Sequence, residues 1–482
     1  MSGINTIGNH DFFEVTTGDQ QFLTSEQAFH YQIIPKEISK HALNFYVDEF
    51  HYRPDLCDEL ELVFGVPVIL EKSDSAKIQK TLTRYYRRKK HQPKQELRFR
   101  FNEEKDFLKR LIREAHELGS SDIHLEPYED KCRVRIRIDG KLVERYEMPI
   151  IDYPPVVNKI KIQAHLDIAE KRLPQDGRIE FGEDNLKFDI RVSILPTLHG
   201  EKVVMRLLSR DAVQIDLSTL GFGQNDLKVF KEAIRKPHGV VLVSGPTGSG
   251  KTTTLYATLK LLNEETRNII TIEDPIEYTL EGINQVQLKE SIGLDFPTAM
   301  RTFLRQDPDV IMLGEIRDKD TAQMAIRAAL TGHMVFSTIH TNSAWGTITR
   351  LIDMGVPSFL IANTLNLSAA QRLVRLLCPH CKQKEALDEK DLPPAFRGIK
   401  AIQVHYMPIG CDQCYYTGYS GRKAIYELIT MDQELAEAIK NNVSDVDDLL
   451  EQRKIVKLSD KAYQLLTLGE TALEEVYALL MN

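Results

Sequence analysis

One stretch, VLVSGPTGSGKTT at residues 241–253, constrains the fold of this chain more than any other. An apolar run at Val240–Val243 predicts a buried strand, and the residues after Lys251, TTTLYATLKLL, have a helical pattern. The turn between them fits G-x-x-x-x-G-K-[ST] from Gly245 to Thr252. A strand, a glycine-rich turn and a helix in this order predict an α/β core that binds a nucleotide, with a chance glycine turn as the alternative.

The residue types in this turn suit a phosphate chain. Glycines let the backbone curl so that successive N–H groups point at an anion, and the following helix adds its positive end. Lys251 is expected to reach the β- and γ-phosphates of ATP, and Thr252 to ligate Mg²⁺. The predicted nucleotide-binding residues are Gly245, Pro246, Thr247, Gly248, Ser249, Gly250, Lys251, Thr252 and Thr253.

Length and charge limit the classes of protein that fit. A chain of 482 residues suggests about three or four domains at about 150 residues each. The formal net charge of −8 argues against a surface devoted to nucleic acid, so no nucleic-acid partner is expected. The start, MSGINTIGNHDFFEV, lacks a signal pattern and no apolar run approaches the roughly 18 residues of a membrane span, so a cytosolic protein is expected.

Three further apolar runs each end in titratable residues. Because the carboxyl ends of parallel strands meet at one edge of a sheet, these residues are expected to form one site with the P-loop, although each alone would be a surface acid or a core histidine. An acid such as Glu315 can orient the attacking water or accept its proton. The runs and their residues are Ile269–Ile272 with Glu273, Asp274 and Glu277, Val310–Leu313 with Glu315, and Met334–Ile339 with His340.

The residues before the P-loop predict two smaller units. Residues 1 to about 85 indicate an α-rich domain without visible chemistry. Eight Lys or Arg lie between Arg84 and Arg100, which predicts a solvated linker, with contact to anionic lipid or an acidic partner as the alternative. From about 104 to 215, a helix followed by strand patterns indicates an α+β unit with arginines at its strand ends, namely Arg178, Arg191 and Arg206.

Two C-x-x-C pairs, Cys378–Cys381 and Cys411–Cys414, are separated by 29 residues. Two thiolate pairs can close a tetrahedral Zn²⁺ site with no open position, which is the geometry of a structural ion. Zinc-free thiols are the alternative, and His380 is the main competitor as a ligand. The tail from 424 to 482 is polar with apolar helical stripes and shows no chemistry.

Several blocks of the chain resemble the general secretory pathway protein E family, the ATPases of type II secretion, within the wider type II/type IV secretion ATPase family. The resemblance covers roughly residues 60–482. It rests on GSSDIHLEPYEDKCRVRIRIDG, LPQDGRIEF, RVSILPTLHGEKVVMRLL, GPTGSGKTTTLYATL, TIEDPIEY, LRQDPDVIMLGEIRD, TGHMVFSTIHTNSA and CPHC…GCDQCYYTGYSGRKAIYEL.

The resemblance assigns roles to residues at the predicted site. It implies an Asp box at 270–277, a Walker B segment at 310–315 and a His box at 332–340. Gly314 then occupies the position where other NTPases carry an acid, and Glu315 takes the role of the catalytic acid. The catalytic residues implied are Glu315, Lys251, Glu273 and His340, together with Arg191 and Arg206 as candidates for phosphate contacts across a domain or subunit interface.

The resulting fold prediction is α/β: a RecA-like P-loop NTPase core, preceded by a PAS-like α+β domain and followed by a tetracysteine zinc module and a helical C-terminal domain. The predicted boundaries are 1–90 for an α-rich docking domain, 91–103 for the basic linker, 104–218 for the PAS-like domain, 226–374 for the RecA-like domain, 375–423 for the zinc module and 424–482 for the helical domain.

The implied function is that of a hexameric, ATP-hydrolysing motor for pseudopilus assembly and protein export by type II secretion. The family implies attachment to the cytoplasmic face of the bacterial inner membrane through a platform protein and the cytoplasmic domain of an assembly protein. Extension of a type IV pilus or a DNA-uptake pseudopilus is the alternative. The short region before residue 100 favours secretion, and the tetracysteine insert disfavours a retraction ATPase.

Two other classes of function fit the residues less well. A protein that grips DNA through the zinc module and the basic linker conflicts with the negative net charge and with the absence of alternating aromatic and basic residues around the cysteines. A catalytically inactive scaffold conflicts with the presence of Lys251, Thr252 and Glu315. An ATPase with ATP, Mg²⁺ and Zn²⁺ is therefore the prediction.

Overall fold

The computed structural model describes residues 12–13, 15, 23, 25–38, 42–86, 107–183, 186–208, 216–387, 392–393, 396, 402–443 and 445–481. The chain divides into two compact units, residues 1–96 and 97–482. The basic linker predicted at 91–103 lies outside the described residues. Within these ranges, none of the helices combines the length and the apolar character needed to cross a lipid bilayer.

The first unit is a small sheet packed with helices. Strand β1 pairs antiparallel with β2, which pairs parallel with β3, and Phe45, Leu60 and Ile78 are fully buried in the shared core. The prediction of an α-rich unit anticipated helices but not this sheet, because strands of six residues are too short for periodicity to separate them from helical turns. The elements are α1 (Ser25–Tyr31), β1 (Ile33–Ile38), β2 (Leu43–Asp48), α2 (Leu56–Phe64), β3 (Val68–Ser73) and α3 (Ser75–Tyr85).

The second unit begins with a six-stranded antiparallel sheet in the order β6-β5-β4-β9-β8-β7. Lys131–Ile138, one of its strands, alternates between buried and partly exposed residues, as expected for a sheet with one face on the core. The predicted α+β character is confirmed. The elements are α4 (Phe107–Glu117), β4 (Asp122–Pro127), β5 (Lys131–Ile138), β6 (Lys141–Pro149), α5 (Tyr153–Gln163), β7 (Gln175–Glu183), β8 (Leu186–Thr197) and β9 (Gly200–Leu208).

A seven-stranded sheet follows, in the order β12-β11-β13-β14-β10-β15-β18. The first six strands are parallel, so their carboxyl ends share one edge, and β18 runs antiparallel beside β15. The elements are α6 (Gln224–Ile234), β10 (Gly239–Ser244), α7 (Lys251–Leu262), β11 (Ile269–Glu273), β12 (Asn284–Gln287), α8 (Phe296–Phe303), β13 (Val310–Leu313), α9 (Lys319–Leu330), β14 (Met334–Ile339), α10 (Ala344–Asp353), α11 (Ser358–Thr364), β15 (Leu365–Leu377), β16 (Lys382–Ala386), β17 (Val404–Pro408), β18 (Tyr419–Thr430), α12 (Gln433–Lys440), α13 (Asp447–Gln452), α14 (Leu458–Thr467) and α15 (Leu473–Leu480).

The boundaries predicted at residues 374 and 424 divide single strands. Residue 374 lies inside β15, and residue 424 lies inside β18, so the tetracysteine segment is an insertion between two neighbouring strands of the main sheet. The expectation of a helical domain from 424 is wrong for its first residues. Four consecutive residues of β18 from 424 are buried, because both faces of the strand are covered, and this removes the alternation that marks an ordinary strand.

Candidate active site

The P-loop leaves β10, which is buried along its whole length, and leads into α7. Gly250 has φ +87°, and a Cβ added there would lie 2.9 Å from Gln371 Nε2, so both backbone conformation and space require glycine. Lys251 is folded over the loop, where its Nζ donates to the carbonyl oxygens of Gly245 at 2.8 Å and Pro246 at 3.1 Å. These two hydrogen bonds tie the lysine side chain to the backbone of its own loop.

The polar groups of the P-loop are arranged for an anion. Burial lowers the pKa of Lys251, an effect that Glu315 opposes and Arg372 reinforces. The Ser249 hydroxyl is buried and makes no hydrogen bond to any residue the structure describes. Thr252, the predicted Mg²⁺ ligand, is exposed at the start of α7. An unsatisfied buried hydroxyl beside a half-desolvated cation is what a phosphate group would complete.

Glu315 lies one residue beyond Gly314 at the end of β13, with its side chain 17% exposed. One carboxylate oxygen is paired with Arg317, and the other lies 3.3 Å from His340 Nε2. Arg317 also lies 3.8 Å from Asp274, in the predicted Asp box. No role was predicted for Arg317, although it lies inside the quoted block LRQDPDVIMLGEIRD. The structure thus brings the ends of β11, β13 and β14 together, as predicted.

Gly314 has a spatial reason beyond the resemblance. Its N–H donates to the Ile272 carbonyl oxygen at 2.8 Å, and its own carbonyl oxygen accepts from Thr338 Oγ1 at 2.8 Å. A Cβ at this position would lie 3.3 Å from the Ile272 oxygen and 3.4 Å from Glu273 Cα, which is a tight fit between strand ends. An acidic side chain here would displace β11, so the first available acid is Glu315.

Glu273 differs from Glu315 because it is buried and fully hydrogen-bonded. One oxygen accepts from Thr271 Oγ1 at 2.6 Å and from Gln285 Nε2 at 3.1 Å, and the other accepts from the Tyr256 hydroxyl. Only 3% of its surface is exposed. The structure therefore ties Glu273 to helix α7 and strand β12, in a position that supports the site without contributing an exposed acid.

The arginines predicted for the site already carry carboxylate partners. Arg191 Nη1 lies 3.0 Å from Glu277 in the Asp box, and its other terminal nitrogen donates to the Ile276 carbonyl oxygen. Arg206 Nε lies 2.9 Å from Asp122, on the neighbouring strand β4. Arg191 thus links the antiparallel sheet to the edge of the nucleotide site within one chain, whereas Arg206 is bound inside its own sheet.

Two further residues on β15 contact the P-loop and were missed from the sequence. Gln371 is 1% exposed, donates from Nε2 to the Ser249 carbonyl oxygen at 2.8 Å, and accepts from Thr254 Oγ1 at 2.9 Å. Arg372 follows it and donates to the carbonyl oxygens of Gln371 and Asn342, each at 3.0 Å. No local motif marks either residue, because both reach the loop through sheet pairing.

The four predicted cysteines form one cluster, whose ligand atoms all lie within 4.8 Å of one another. The sulfurs of Cys378 and Cys411 are 3.9 Å apart, those of Cys381 and Cys414 are 3.7 Å apart, and all four are free thiols. Burial opposes a thiolate at Cys414, but the N–H groups of Cys411 and Gly418 donate to its sulfur at 3.2 Å and lower its pKa to about 7. His380, the competing ligand, is exposed and is not part of the cluster.

Comparison with known proteins identifies the family. The family model described as "Type II/IV secretion system protein" matches residues 102–478. The chain belongs to this family. It is 47% identical over 369 residues to "Type II secretion system protein E" of Pseudomonas aeruginosa, covering 76% of this chain and 73% of that protein, and 44% identical over 368 or 367 residues to the corresponding proteins of Aeromonas hydrophila and Vibrio cholerae. The resemblance found in the sequence, to an ATPase of type II secretion, is confirmed.

Other similar proteins come from neighbouring branches. The "Type IV pilus assembly ATPase PilB" of Myxococcus xanthus is 48% identical over 76% of this chain and 66% of its own length. The solved "Pilus Retraction Motor PilT and Bound ADP" has a TM-score of 0.53 at 27% identity, over 76% of this chain and 95% of that one. The Legionella pneumophila ATPase DotB, with a TM-score of 0.59 at 22% identity over 80% and 96%, shows the fold alone. The predicted α/β fold and ATP-hydrolysing activity are confirmed.

Proposed function

We propose that this chain is the motor that powers pseudopilus assembly and protein export in a type II secretion system, by hydrolysing ATP at the edge of its seven-stranded sheet. The observation that supports this most directly is the placement of Lys251, at the start of α7, and Glu315, beyond the end of β13, close enough for the carboxylate to act on the pKa of the lysine. Phosphate binding needs the first residue and activation of water needs the second, and an inactive scaffold needs neither.

The P-loop would hold the phosphates of ATP, and Thr252 would hold Mg²⁺. Three features of the loop fit this assignment: the exposed Thr252, the unsatisfied hydroxyl of Ser249, and a glycine at 250 whose φ of +87° lets the backbone curl. When bound, Mg²⁺ neutralises charge on the phosphate oxygens. Lys251 gathers the terminal phosphates once its ammonium group leaves the two carbonyl oxygens it now contacts.

Glu315 would orient the attacking water and accept its proton. In the structure both of its oxygens are engaged, one by Arg317 and the other by His340, so its charge is compensated before substrate arrives. Movement of Arg317 toward Asp274 would leave one oxygen free to accept from water, and His340 would keep the carboxylate in place. Glu273 would act indirectly, because its hydrogen bonds with Tyr256 and Gln285 fix the end of β11.

Arg191 and Arg206 are the proposed arginine contacts to the nucleotide in the assembled motor. Both belong to the antiparallel sheet, and both are now bound to carboxylates, Glu277 and Asp122. A rotation of this sheet relative to the ATPase domain would exchange these carboxylates for phosphate, and so couple nucleotide state to domain angle. The connector that would permit it contains Gly221 at φ +93°, a conformation that favours glycine.

The cysteine cluster fits a structural zinc ion. Tetrahedral ligation with Zn–S distances of about 2.3 Å places sulfurs about 3.8 Å apart, and the shortest separations here are 3.7–3.9 Å. Four cysteines fill all positions of such a site, so the ion would stabilise the insertion between β15 and β18 and leave no place for a substrate. The remaining finer assignments are a PAS-like fold for 104–218, a homo-hexameric ring, and docking of residues 1–90 at a membrane platform.

The proposal is tested in a bacterium that lacks its own type II secretion ATPase but carries the matching secretion genes. Expression of this chain is expected to restore the appearance of the exported protein in the medium, and the Lys251→Ala chain is expected not to. Restoration of export by both chains would mean that export does not depend on ATP hydrolysis by this protein. The same strains are inspected for surface pili, because similarity to PilB makes pilus extension the second candidate. Pili without export would replace the proposed function by that one.

A further inference from the structure

The arginines around the nucleotide site differ in their electrostatic partners. Three of them lie within 4.0 Å of a carboxylate, namely Arg191 with Glu277, Arg206 with Asp122 and Arg317 with Glu315. Arg372 has no carboxylate within that distance among the residues the structure describes, and it donates only to neutral oxygens. Burying a charge without a counter-charge raises the free energy of the folded state. The position of this unpaired guanidinium at a nucleotide site therefore requires an explanation.

The position of Arg372 follows from sheet pairing. Ala370 of β15 pairs with Ser244, the last residue of β10, so that the next residues of β15 run alongside the P-loop. The Nη1 atom of Arg372 lies 3.2 Å from the place a Cβ would take on Gly245. Its Nη2 atom is held by the carbonyl and side-chain oxygens of Asn342, at 3.0 and 3.2 Å. The guanidinium is thus fixed between the first P-loop glycine and the loop that follows His340.

Two positive charges consequently meet at Gly245. Lys251 Nζ donates to its carbonyl oxygen at 2.8 Å, and Arg372 Nη1 lies 3.2 Å from the position that a Cβ on this glycine would take. Burial lowers the pKa of Arg372, opposed by the more distant Glu427, and after burial Arg372 is a further cause of the lowered pKa of Lys251. Like charges held this close in a partly desolvated place favour the arrival of an anion.

We propose that Arg372 is a phosphate-binding residue of this site, supplied by β15 of the same chain to the terminal phosphates of the bound nucleotide. The terminal phosphates are the favoured ligands because Arg372 and Lys251 both lie next to Gly245, and Lys251 is the residue that gathers the β- and γ-phosphates. The inference rests on the proposed function of the P-loop. Unlike Arg191 and Arg206, Arg372 acts without a domain rotation and without a second subunit.

The test compares nucleotide affinities of the full chain and its variants by calorimetry with excess Mg²⁺. The probes are ATPγS, which carries terminal phosphates, and AMP, which lacks them. Arg372→Gln is expected to weaken ATPγS binding by roughly 10- to 100-fold, as for loss of a charged hydrogen bond, and to leave AMP binding nearly unchanged. Arg372→Lys keeps the positive charge but loses the bidentate donor. Its ATPγS affinity is expected to lie between those of the wild-type chain and Arg372→Gln.

The matched control is Arg267→Gln. Arg267 lies before β11, at the opposite edge of the sheet, where it pairs with Glu264 at 3.6 Å. An ATPγS affinity of Arg372→Gln equal to that of the control overturns the inference. An equal loss for AMP and ATPγS also overturns it, because that result indicates a distorted loop. If Arg372→Gln does not fold, the same two criteria apply to Arg372→Lys.

The same samples separate this inference from the proposed function. A wild-type chain that neither binds ATPγS nor hydrolyses ATP would contradict the assignment of the P-loop itself. A wild-type chain that does both, together with an Arg372→Gln chain of unchanged affinity, would contradict only the role of Arg372.

Discussion

The two large sheets of the second unit use charged residues in opposite ways. In the six-stranded antiparallel sheet, every second residue faces away from the core, and the charged ones pair across strands, as Glu126 does with Arg133, Arg135 and Lys202. In the seven-stranded sheet, β10, β13 and β14 are buried throughout. Charge is therefore excluded from these three strands and collects where they end.

This difference assigns catalysis to the edge of the parallel strands and stability to the antiparallel sheet. At the carboxyl edge of the parallel strands, Lys251 and Glu315 have partners that a substrate can replace, namely backbone carbonyl oxygens, Arg317 and His340. In the antiparallel sheet, the charges satisfy one another. We therefore expect substitutions at the parallel edge to change turnover, and substitutions among the paired charges to change the free energy of unfolding.

The largest effect is expected for Lys251→Ala, which removes the ammonium group that gathers the terminal phosphates. Steady-state ATP hydrolysis is expected to fall by roughly 100-fold or more. The fold should persist, because among the residues that the structure describes Lys251 makes side-chain hydrogen bonds only to the carbonyl oxygens of Gly245 and Pro246. The Arg267→Gln chain is the control. Turnover in Lys251→Ala equal to that control would place the chemistry elsewhere.

Glu315→Gln is expected to slow hydrolysis by roughly 100-fold while ATPγS affinity changes little, because the amide cannot accept the proton of water. Single-turnover hydrolysis and calorimetry on the same protein measure the two quantities. Glu273→Gln is the informative comparison, because this buried residue supports α7 and β12. If Glu273→Gln lost turnover at full stability and Glu315→Gln did not, their roles would be exchanged.

Mixing two inactive chains tests whether the antiparallel sheet contributes to chemistry in the ring. Arg206→Ala keeps an intact P-loop, and Lys251→Ala keeps an intact Arg206. If the arginine acts between subunits, activity returns in part, because some interfaces combine both intact groups. Mass measurement of the mixed assemblies is the control. Confirmed mixed rings without activity would confine Arg206 to its own chain or to its ion pair with Asp122.

Removal of Cys411, a proposed zinc ligand, is expected to act on stability and not on nucleotide affinity. Metal analysis of the wild-type chain should find about one zinc ion per chain, and Cys411→Ser should lose it and unfold at lower denaturant concentration. Cys57→Ser, in the first unit, is the matched control. Wild-type protein without zinc, with four freely titratable thiols in the native state, would contradict the site.

The smallest effect concerns pH and the antiparallel sheet. Burial disfavours ionised Glu126, but hydrogen bonds from Arg135 and Lys202 outweigh burial and lower its pKa from 4.5 to about 2. Ionised Glu126 therefore adds stability above about pH 4.5, roughly 3 kcal/mol, which is lost as pH falls toward 2. Glu126→Gln should remove this pH dependence, as measured by hydrogen exchange in β4–β9.

Glu147→Gln is the control for that measurement. Glu147 is on the same sheet and pairs with Lys131 at 2.9 Å, but both side chains are more than 40% exposed. Its removal is expected to cost less than about 1 kcal/mol. Equal effects of the two substitutions would mean that burial does not distinguish these ion pairs.

The sequence-based prediction located the parallel edge well because β10, β11, β13 and β14 are short apolar runs that each stop at a polar residue. Glu315, His340 and the four cysteines lie where spacing and resemblance put them. It failed for β18, whose two covered faces hide its alternation, and for Gln371 and Arg372, whose contacts with the P-loop join residues more than 100 positions apart. It also could not find the carboxylate partners of Arg191 and Arg206, which depend on tertiary placement.

The insertion of the cysteine module between β15 and β18 lengthens the time between the synthesis of these two neighbouring strands. Residues 378–418 separate the two strands, and at about 5–20 residues per second they take roughly 2–8 s to emerge from a ribosome. During that time β15 can pair with β10, but its outer edge has no partner strand and presents free N–H and C=O groups. A cluster that draws Cys378 to Cys411 brings β18 to this edge as soon as it is made, which shortens the exposure to other nascent chains.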